Sequence, residues 1–425
     1  MTVTEAVKEF KSCPKVICMM TYLRAGSKLF YSFVDWHPQI ISFPRTMRFN
    51  KYWKEVSARA AEPEFLVDTF ISMYPRFFSG KEWYRFNKYD RADQLGPGMD
   101  ETFTVDKALF RKYALEALGG SPADRRELFI CLHIAYHFAC GREYRRGSAV
   151  FYHIHDIIHI DDLGACLEDF PGAKLIVTTR HSVEGVNSCV KWMLMHNTLS
   201  CAELYTHQHQ ALTGTDPIME RFPSLDVRVL TYERQHKNHR EVMDRFVKMA
   251  SIDWDQSLMQ STLHGKLWWS NGKTQRNGAD PNIRIYKPKG FLENKDMKVL
   301  ASLAQQRSAR FGYLPEEGRS MGAGIAEILL PTAAEWTVLR ACFNPSFWMR
   351  VARRVSEELR DNRIKGYDYY TKKKVESLRA YRQFLKHAYR INVLSWTRYY
   401  FKRVALYLSY RKNGDGKKSR LPEIL

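Results

Sequence analysis

The stretch VICMMTYLRAGSKLFYSFVDWHP, at residues 16–38, decides the fold. It begins with a short apolar run from Val16 to Met20, continues through a loop that contains Gly26, and is followed by a predicted helix. A buried strand, a short loop and a helix in this order are typical of α/β folds. The backbone N–H groups at the start of such a helix can bind a phosphate.

Three further apolar runs have the length and composition of buried strands. They are Ala149 to Tyr152, Lys174 to Thr178 and Val227 to Thr231. Helical patterns lie between the runs, at Val105 to Ala117, Arg125 to Ala139 and Val183 to Met195. None of the four runs alternates cleanly, as expected when both faces of a parallel sheet are covered. The sequence therefore predicts an α/β fold in which helices flank a central parallel sheet.

Charge divides the chain of 425 residues into two parts. Its 66 Lys and Arg exceed its 46 Asp and Glu, giving a net charge of +20 with neutral His, so anionic partners are expected. From Glu335 onward there are 22 Lys and Arg and eight Asp and Glu. We therefore predict a first domain at residues 1–330 and a basic, aromatic helical tail at residues 331–425.

Sequence patterns also bear on localisation. The N-terminal MTVTEAVKEFKSC carries charge where a signal peptide has an apolar segment. The longest nearly uncharged apolar run, Leu128 to Cys140, is too short to cross a bilayer. Eight cysteines without paired spacing are not typical of a disulfide framework or a zinc site. We expect a cytoplasmic protein, soluble or peripherally attached to a membrane.

The loop after the first strand supplies the first candidate binding residues: Arg24, Ala25, Gly26, Ser27, Lys28 and Leu29. Gly26 permits close approach of a phosphate, Ser27 adds a hydroxyl donor, and two basic residues add positive charge. The ATP-binding pattern GxxxxGK[ST] does not occur here, since Lys28 follows the serine. From these residues alone, a phosphate site and an ordinary strand–helix turn both stay open.

A second strand end favours the phosphate site. The segment FPGAKLIVTTRHSVEGVNS, at residues 170–188, has Arg180 just after an apolar strand and Ser188 about two helical turns later. Arg180 can bind a phosphate through two hydrogen bonds, and Ser188 can donate another.

Together, the two segments resemble the nucleotide-binding motifs of sulfotransferases that use 3′-phosphoadenosine 5′-phosphosulfate (PAPS). The family's R/K-S-G-[ST]-[STRK] loop, followed by H-P-x-I, holds the 5′-phosphosulfate, and Ala25 departs from it by replacing a serine. The family's F-P-x-A-[KR]-x-I-x-x-x-R strand, with a serine eight residues later, holds the 3′-phosphate and fits residues 170–188 throughout. The resemblance covers roughly residues 10–290 and implies a three-layer, P-loop-like fold.

Two weaker matches follow in the family's order. Leu230-Thr-Tyr232-Glu233 resembles a strand-end tyrosine–glutamate pair, which implies that Tyr232 lies near the adenine. The sequence KTQRNG resembles a basic loop that closes over the 3′-phosphate, and it adds Lys273, Arg276 and Gly278 as candidates. A solvated turn explains that loop equally well.

The resemblance also points to a catalytic base in AVFYHIHDIIH, at residues 149–159. Many members carry K-x-H here with the histidine as base, so His155 is the candidate, and His153 replaces the lysine. Which of the two acts stays open. Packing histidines and a metal site are the alternatives, and we predict no metal.

The resemblance implies in-line sulfuryl transfer from PAPS, with Arg24 and Lys28 stabilising charge on the leaving phosphate. The aromatic-rich insert at residues 40–148 corresponds to the acceptor pocket, and a hydroxyl of a glycan, a glycolipid or another membrane-proximal molecule is the expected acceptor. The alternatives are a small-molecule kinase and a non-catalytic nucleotide-binding protein that associates with a membrane or a nucleic acid.

The tail is predicted to form two or three basic, amphipathic helices. Apolar residues recur at helical spacing: Leu378, Tyr381, Leu385, Ala388, Tyr389, Val393 and Trp396. Such helices commonly bind anionic membrane surfaces. A hairpin packed on the core is the alternative, and a nucleic acid is not expected because no nucleic-acid-binding motif accompanies the charge.

Overall fold

The structure, a computed structural model, describes residues 1–87, 90–120, 122–195, 200–269, 277–282, 294–313, 324–345, 348–349, 353, 393–413 and 423–425. The strands are β1 (Val16–Thr21), β2 (Ile40–Ile41), β3 (Ala149–Asp156), β4 (Lys174–Thr179), β5 (Val227–Thr231), β6 (Thr262–Leu263), β7 (Lys266–Leu267) and β8 (Glu423–Ile424).

The helices follow in chain order. They are α1 (Val3–Ser12), α2 (Ser27–Val34), α3 (Phe49–Val56), α4 (Pro63–Met73), α5 (Gly80–Phe86), α6 (Lys107–Leu118), α7 (Arg125–Ala139), α8 (Ile160–Asp169), α9 (Ser182–Met195), α10 (Cys201–Thr213), α11 (Asp216–Arg221), α12 (Tyr232–Lys237), α13 (His239–Ala250), α14 (Asn294–Leu303), α15 (Gln305–Arg310), α16 (Ile325–Leu329), α17 (Ala333–Cys342) and α18 (Val393–Asn413).

The central sheet has the strand order β2-β3-β1-β4-β5-β8, and each pair of neighbours is parallel. The predicted α/β fold is therefore confirmed. The four apolar runs of the sequence form β1, β3, β4 and β5, in the middle of the sheet. The two-residue strands β2 and β8 extend it at its edges. A separate antiparallel pair, β6 and β7, lies outside it.

Helices cover both faces of the sheet. Alternate residues of β1 belong to different apolar clusters, so that Cys18 faces one side and Met19 faces the other. The first cluster includes residues of α1 and α7, and the second includes residues of α2 and α13. This alternation is the pattern expected of a strand covered on both faces, and it gives the three layers.

The described parts of residues 331–425 contact the rest of the protein. In α18, Arg403 forms a buried ion pair with Glu335 of α17, with Nε 3.0 Å from Oε1. Strand β8 pairs with β5, and the C-terminal Leu425 is buried beside it. The segment 354–392, which holds most of the predicted amphipathic pattern, lies outside the described residues. The division of the chain near residue 330 stays a prediction.

No helix in the described part of the chain is long and apolar enough to cross a membrane.

Candidate nucleotide-binding and catalytic site

The first predicted binding loop lies at the carboxyl end of β1. Gly26 begins α2 with a φ of 78°, in the left-handed region that favours glycine. A Cβ at this position would lie 2.6 Å from Cδ2 of Tyr232 and 3.3 Å from Oε1 of Gln235. Glycine is therefore required both by the backbone and by the approach of α12. The close contact joins two motifs that are about two hundred residues apart in the sequence.

The neighbouring residues of this loop are less accessible. Ala25 and Ser27 are buried, and Leu29 packs partly buried against the apolar cluster beneath α2. The start of α2 carries no capping side chain within the described residues, so its N–H groups can serve a ligand.

Arg24 lies beside α9. A Cβ on Gly185 would lie 2.4 Å from Cδ1 of Leu23, so α9 packs directly against the loop. The guanidinium of Arg24 lies 5.8 Å from the ring centroid of Trp192, on the same helix. Desolvation lowers the pKa of Arg24, and the positive charge of Arg180 acts in the same direction. The two arginines follow the carboxyl ends of β1 and β4, which are neighbouring parallel strands.

Arg180 follows β4 directly, as the sequence predicts, and its guanidinium lies 4.7 Å from the ring centroid of Tyr232. Its Nη2 is 4.0 Å from Oε2 of Glu184, the limit of an ion pair. Its Nε is buried without a hydrogen-bond partner in the described structure. Such a donor is expected where a ligand completes the site. Ser188 lies two turns along α9 and is partly buried.

Tyr232 opens α12 at the carboxyl end of β5. Its ring contacts Arg180 on one side and meets the ring of His236 edge-on, with centroids 4.7 Å apart. Burial raises the pKa of the Tyr232 hydroxyl, which stays protonated at neutral pH. The next residue, Glu233, is buried and accepts a hydrogen bond from the Tyr313 hydroxyl.

The third predicted motif is described in part. Gly278 has a φ of 85° and approaches Phe33 of α2, whose Cε1 would lie 3.9 Å from an added Cβ. Lys273 and Arg276 lie outside the described residues.

Lys28 lies in a different environment from Arg24. Its Nζ is 2.6 Å from Oδ1 of Asp90, a carboxylate that is almost fully buried. Asp90 also accepts hydrogen bonds from Nε1 of Trp83 and Nδ2 of Asn87. The Lys28 charge is therefore partly neutralised by a residue that sequence reasoning did not select.

His155 lies at the end of β3 in an unusual backbone conformation. Its φ is 85°, and the pairing register of β1 with β3 shifts between Met19, opposite His153, and Met20, opposite His155. Backbone strain of this kind persists only where the surroundings enforce it, and it is concentrated at functional sites. The two histidine rings are 5.4 Å apart, edge to face. The irregularity turns the second ring out of the strand's ordinary alternation.

The electrostatics of both imidazoles keep them neutral at pH 7. Burial lowers the pKa of His155 to about 4, with Lys28 among the charges that act in the same direction and Asp156 opposing them. Burial lowers the pKa of His153 well below its ordinary value. Nδ1 of His155 and both ring nitrogens of His153 are buried without partners in the part of the chain described. Neutral imidazole nitrogens can accept a proton.

Arg45 belongs to the same cluster but was not predicted. It is 4% exposed, and its Nη1 donates to the Lys28 carbonyl oxygen at 2.6 Å. Its guanidinium lies 4.4 Å from the ring centroid of Trp268. Its positive φ of 71° and its burial could not be seen from the sequence Phe-Pro-Arg-Thr.

Gln210 of α10 is a second residue that sequence reasoning missed. Its Nε2 donates to Oδ1 of Asp156 at 3.2 Å, and its Oε1 accepts from the backbone N–H of Leu23 at 3.3 Å. Leu23 also has a positive φ, of 60°. One buried side chain therefore links the first loop to the end of β3, next to His155. No sequence motif indicates this role.

Within the described residues, no three His, Cys, Asp or Glu side chains are grouped so that they could hold a metal ion.

No protein-family model matches the chain, and no curated protein matches it. The solved structures that it resembles include the sulfotransferase domain of the Synechococcus PCC 7002 olefin synthase, with a TM-score of 0.40 and 13% identity over 69% of this chain and 95% of that domain. A sulfotransferase domain from the curacin biosynthetic pathway gives 0.39 and 13% identity, covering 69% and 98%. The sulfotransferase STF9 from Mycobacterium avium gives 0.30 and 13%, covering 60% and 70%.

Proposed function

We propose that the chain is a PAPS-dependent sulfotransferase that transfers a sulfuryl group to a hydroxyl of a glycan, a glycolipid or another membrane-proximal acceptor. The observation that carries the proposal is that Arg24, Arg180 and Tyr232 follow the carboxyl ends of the paired parallel strands β1, β4 and β5. There Tyr232 contacts both Gly26 and Arg180. Two arginines that repel each other are stabilised when an anion lies between them. A doubly phosphorylated adenosine has a negatively charged phosphate for each arginine and an aromatic adenine that Tyr232 can contact.

The residues around Gly26 fit such a donor in their chemistry. The N-terminus of α2 and Arg24 would hold the 5′-phosphosulfate, and Arg180 with Ser188 would hold the 3′-phosphate. Tyr232 would contact the adenine. The unpartnered Nε of Arg180 supports this assignment, because a ligand phosphate would satisfy it. Lys273, Arg276 and Gly278 are proposed to complete the 3′-phosphate site.

The bound donor would supply the sulfuryl group and a phosphate leaving group. Arg24 cannot donate a proton at neutral pH, so its contribution is electrostatic stabilisation of charge on the leaving phosphate. Lys28 would also stabilise the negative charge on the leaving phosphate, and its ion pair with Asp90 reduces this contribution. Cations at this position favour the transition state, where the leaving oxygen carries more negative charge than it does in the bound donor.

His155 would accept the proton of the acceptor hydroxyl. Its neutral imidazole is available at pH 7, because burial lowers its pKa to about 4. Gln210 and Asp156 would hold the end of β3 in the conformation that this ring needs. His153 is the second candidate, and its deeper burial favours a packing role.

One pair of observations favours a second function, nucleotide binding without catalysis. Lys28 is engaged by Asp90, and an imidazole with a pKa near 4 is a weak base. Assays of sulfate transfer and of nucleotide binding distinguish these two functions, and they also test the alternative of a small-molecule kinase.

Radiolabelled PAPS should transfer its sulfate to an acceptor in a mixture of glycans and glycolipids, and the product should gain the mass of one SO₃ group. Calorimetry should show tighter binding of 3′,5′-ADP than of ATP or GDP. Tight 3′,5′-ADP binding without transfer to any acceptor would favour the non-catalytic function. A preference for ATP would favour the kinase and contradict the proposal.

A further inference from the structure

Helix α18 buries Arg403 together with Val404 and Tyr407, and it also leaves large apolar side chains exposed on its outer face. On the inner side, Arg403 is buried against Glu335, and its Nη2 donates to the carbonyl oxygen of Leu330 at 3.1 Å. On the outer side, Leu394 is 83% exposed and Phe401 is 61% exposed. On a helix at the surface of a water-soluble domain, the outward positions are ordinarily occupied by polar and charged side chains.

The outward side chains fall on one stripe of the helix. Leu394, Phe401 and Leu408 are spaced seven residues apart. With 3.6 residues per turn, this spacing places them within about 40° of one another around the helix axis. Leu329, at the end of the neighbouring α16, and Leu330, just after it, are also exposed. We name these two residues together with the stripe the α18 surface.

Contacts between α16 and α18 show that the two apolar groups adjoin. The hydroxyl of Tyr400 donates to the carbonyl oxygen of Leu329. The Tyr400 ring lies 5.2 Å from the ring of Phe401 and stacks on that of Trp396 at 5.1 Å. Exposed apolar surface that is continuous between two elements marks an interaction site more often than isolated side chains do.

The charges that border this surface are positive. Residues 393–413 contain five Lys and Arg and no Asp or Glu. Arg403 is paired inside, and Arg398, Lys402 and Arg411 are exposed. Apolar side chains flanked by bases fit a layer that is apolar inside and anionic at its surface.

We propose that the α18 surface docks on an anionic lipid membrane. Leu394, Phe401 and Leu408 insert at the level where the headgroups meet the acyl chains. The basic side chains that border them lie among the anionic headgroups. Three bases near such a surface correspond to roughly a hundredfold gain in binding. A nucleic acid is disfavoured because the centre of the α18 surface is apolar instead of basic.

The inference deepens the proposed function, on which its biological meaning rests, by bringing the site close to membrane-borne acceptors. One helix, α10, connects the two regions. Near its start, the Tyr205 ring lies 6.0 Å from that of Tyr399 in α18, and near its end Gln210 holds Leu23 and Asp156. Between an acceptor in the bound lipid layer and the site would therefore lie α18 and α10, which are in direct contact with each other.

The test is co-sedimentation of the full chain with phosphatidylcholine vesicles, with and without phosphatidylserine, in the absence of PAPS and acceptor. We expect binding to the anionic vesicles that weakens as salt is added. Phe401→Glu should weaken vesicle binding by at least about tenfold, because it removes a ring that the lipid would bury and adds a negative charge that the anionic headgroups repel. Phe86→Glu is the matched control, since Phe86 is 56% exposed on α5, and it should bind like the wild type.

Thermal unfolding of each variant gives the second readout. An unchanged melting temperature with lost vesicle binding supports docking. A lowered melting temperature in Phe401→Glu with unchanged binding would show that the protein itself covers the α18 surface, and it would overturn the proposal. If the melting temperature and the binding of Phe401→Glu both fall, Arg398→Gln decides: weaker binding with a smaller salt dependence supports docking, and unchanged binding overturns it.

Two further results would overturn the proposal: no binding of the wild type to anionic vesicles, or a preference for single-stranded RNA over those vesicles. None of these readouts depends on sulfate transfer, so failure here and failure of the proposed function are distinguishable.

Discussion

Replacing His155 by asparagine removes the proposed base while leaving the backbone nearly unstrained. The φ of 85° at this position is costly for most residues, but asparagine adopts the left-handed region more readily than others. Alanine would add a backbone cost of about 1 kcal/mol to the chemical change. His155→Asn therefore separates the loss of the imidazole from the loss of the conformation.

The expected loss follows from the role of a general base. Removing one lowers kcat by roughly 10² to 10⁴, which corresponds to about 3–5 kcal/mol of transition-state stabilisation. Affinity for 3′,5′-ADP should change little, because Arg24, Arg180 and Tyr232 are untouched. Since the pKa of His155 is about 4, wild-type kcat/KM should stay level from pH 8 to 5 and fall only as the ring becomes protonated below that.

The assay is the initial rate of sulfate transfer from labelled PAPS across this pH range, with 3′,5′-ADP affinity measured by calorimetry. His159→Asn is the control, because its Nε2 lies 2.7 Å from Nη2 of Arg48 and the proposal gives it no proton to carry. It should keep activity within a few fold. If His155→Asn kept kcat within about threefold of the wild type, His155 would not be the base.

Three further outcomes test the surroundings of the site. Gly26→Ala should raise the KM for PAPS and lower the melting temperature more than Gly119→Ala, because both have positive φ but only Gly26 has a ring in the space of the new Cβ; equal effects would contradict the close contact. Gln210→Leu should lower the free energy of unfolding in urea by about 1–3 kcal/mol and should reduce kcat/KM, because it removes both hydrogen bonds of this side chain. Gln208→Leu is the control on the same helix: its Oε1 has no hydrogen-bond partner in the described structure, so the loss of stability should be smaller and kcat/KM should not change. A larger effect of Gln208→Leu than of Gln210→Leu would contradict the linking role of Gln210. The free energy of unfolding should be highest above pH 6.5. Below that pH the unfolded chain takes up protons that the buried neutral histidines do not, so the free energy of unfolding should fall by up to about 1.4 kcal/mol per pH unit for each such histidine. A midpoint of urea unfolding that stays constant down to pH 5 would contradict this. The histidines whose pKa burial lowers to about 3 are His133, His137 and His264.

The central strands and the main helices were predictable because the residues that form them are neighbours in sequence. The helix predicted at Arg125 to Ala139 has those bounds in the structure, and the one predicted from Val183 begins one residue earlier. Strands β2 and β8 were missed, since two residues are too few to show a pattern. Their pairing depends on the edges that β3 and β5 offer, which no local pattern indicates.

Residues of the candidate site could be selected from the sequence where a motif contains them, and not where distant segments meet. Gly26 and Tyr232 were selected from separate motifs, and the structure brings them into contact. The ion pair of Lys28 joins it to a residue 62 positions away. Gln210 lies on a helix with no recognisable motif, and Arg45 is buried by aromatic rings from elsewhere in the chain. Such contacts depend on how distant segments pack together, and no local sequence pattern predicts them.

The central claim is that Arg24 and Arg180 hold the two phosphates of one adenosine nucleotide. Calorimetric titration of 3′,5′-ADP and of 5′-AMP into the wild type and Arg180→Gln tests it most directly. We expect Arg180→Gln to weaken 3′,5′-ADP binding by roughly thirty- to 150-fold, equivalent to about 2–3 kcal/mol of charge-assisted hydrogen bonds, and to leave 5′-AMP binding unchanged. An equal loss for both nucleotides, or no loss for either, would contradict the account.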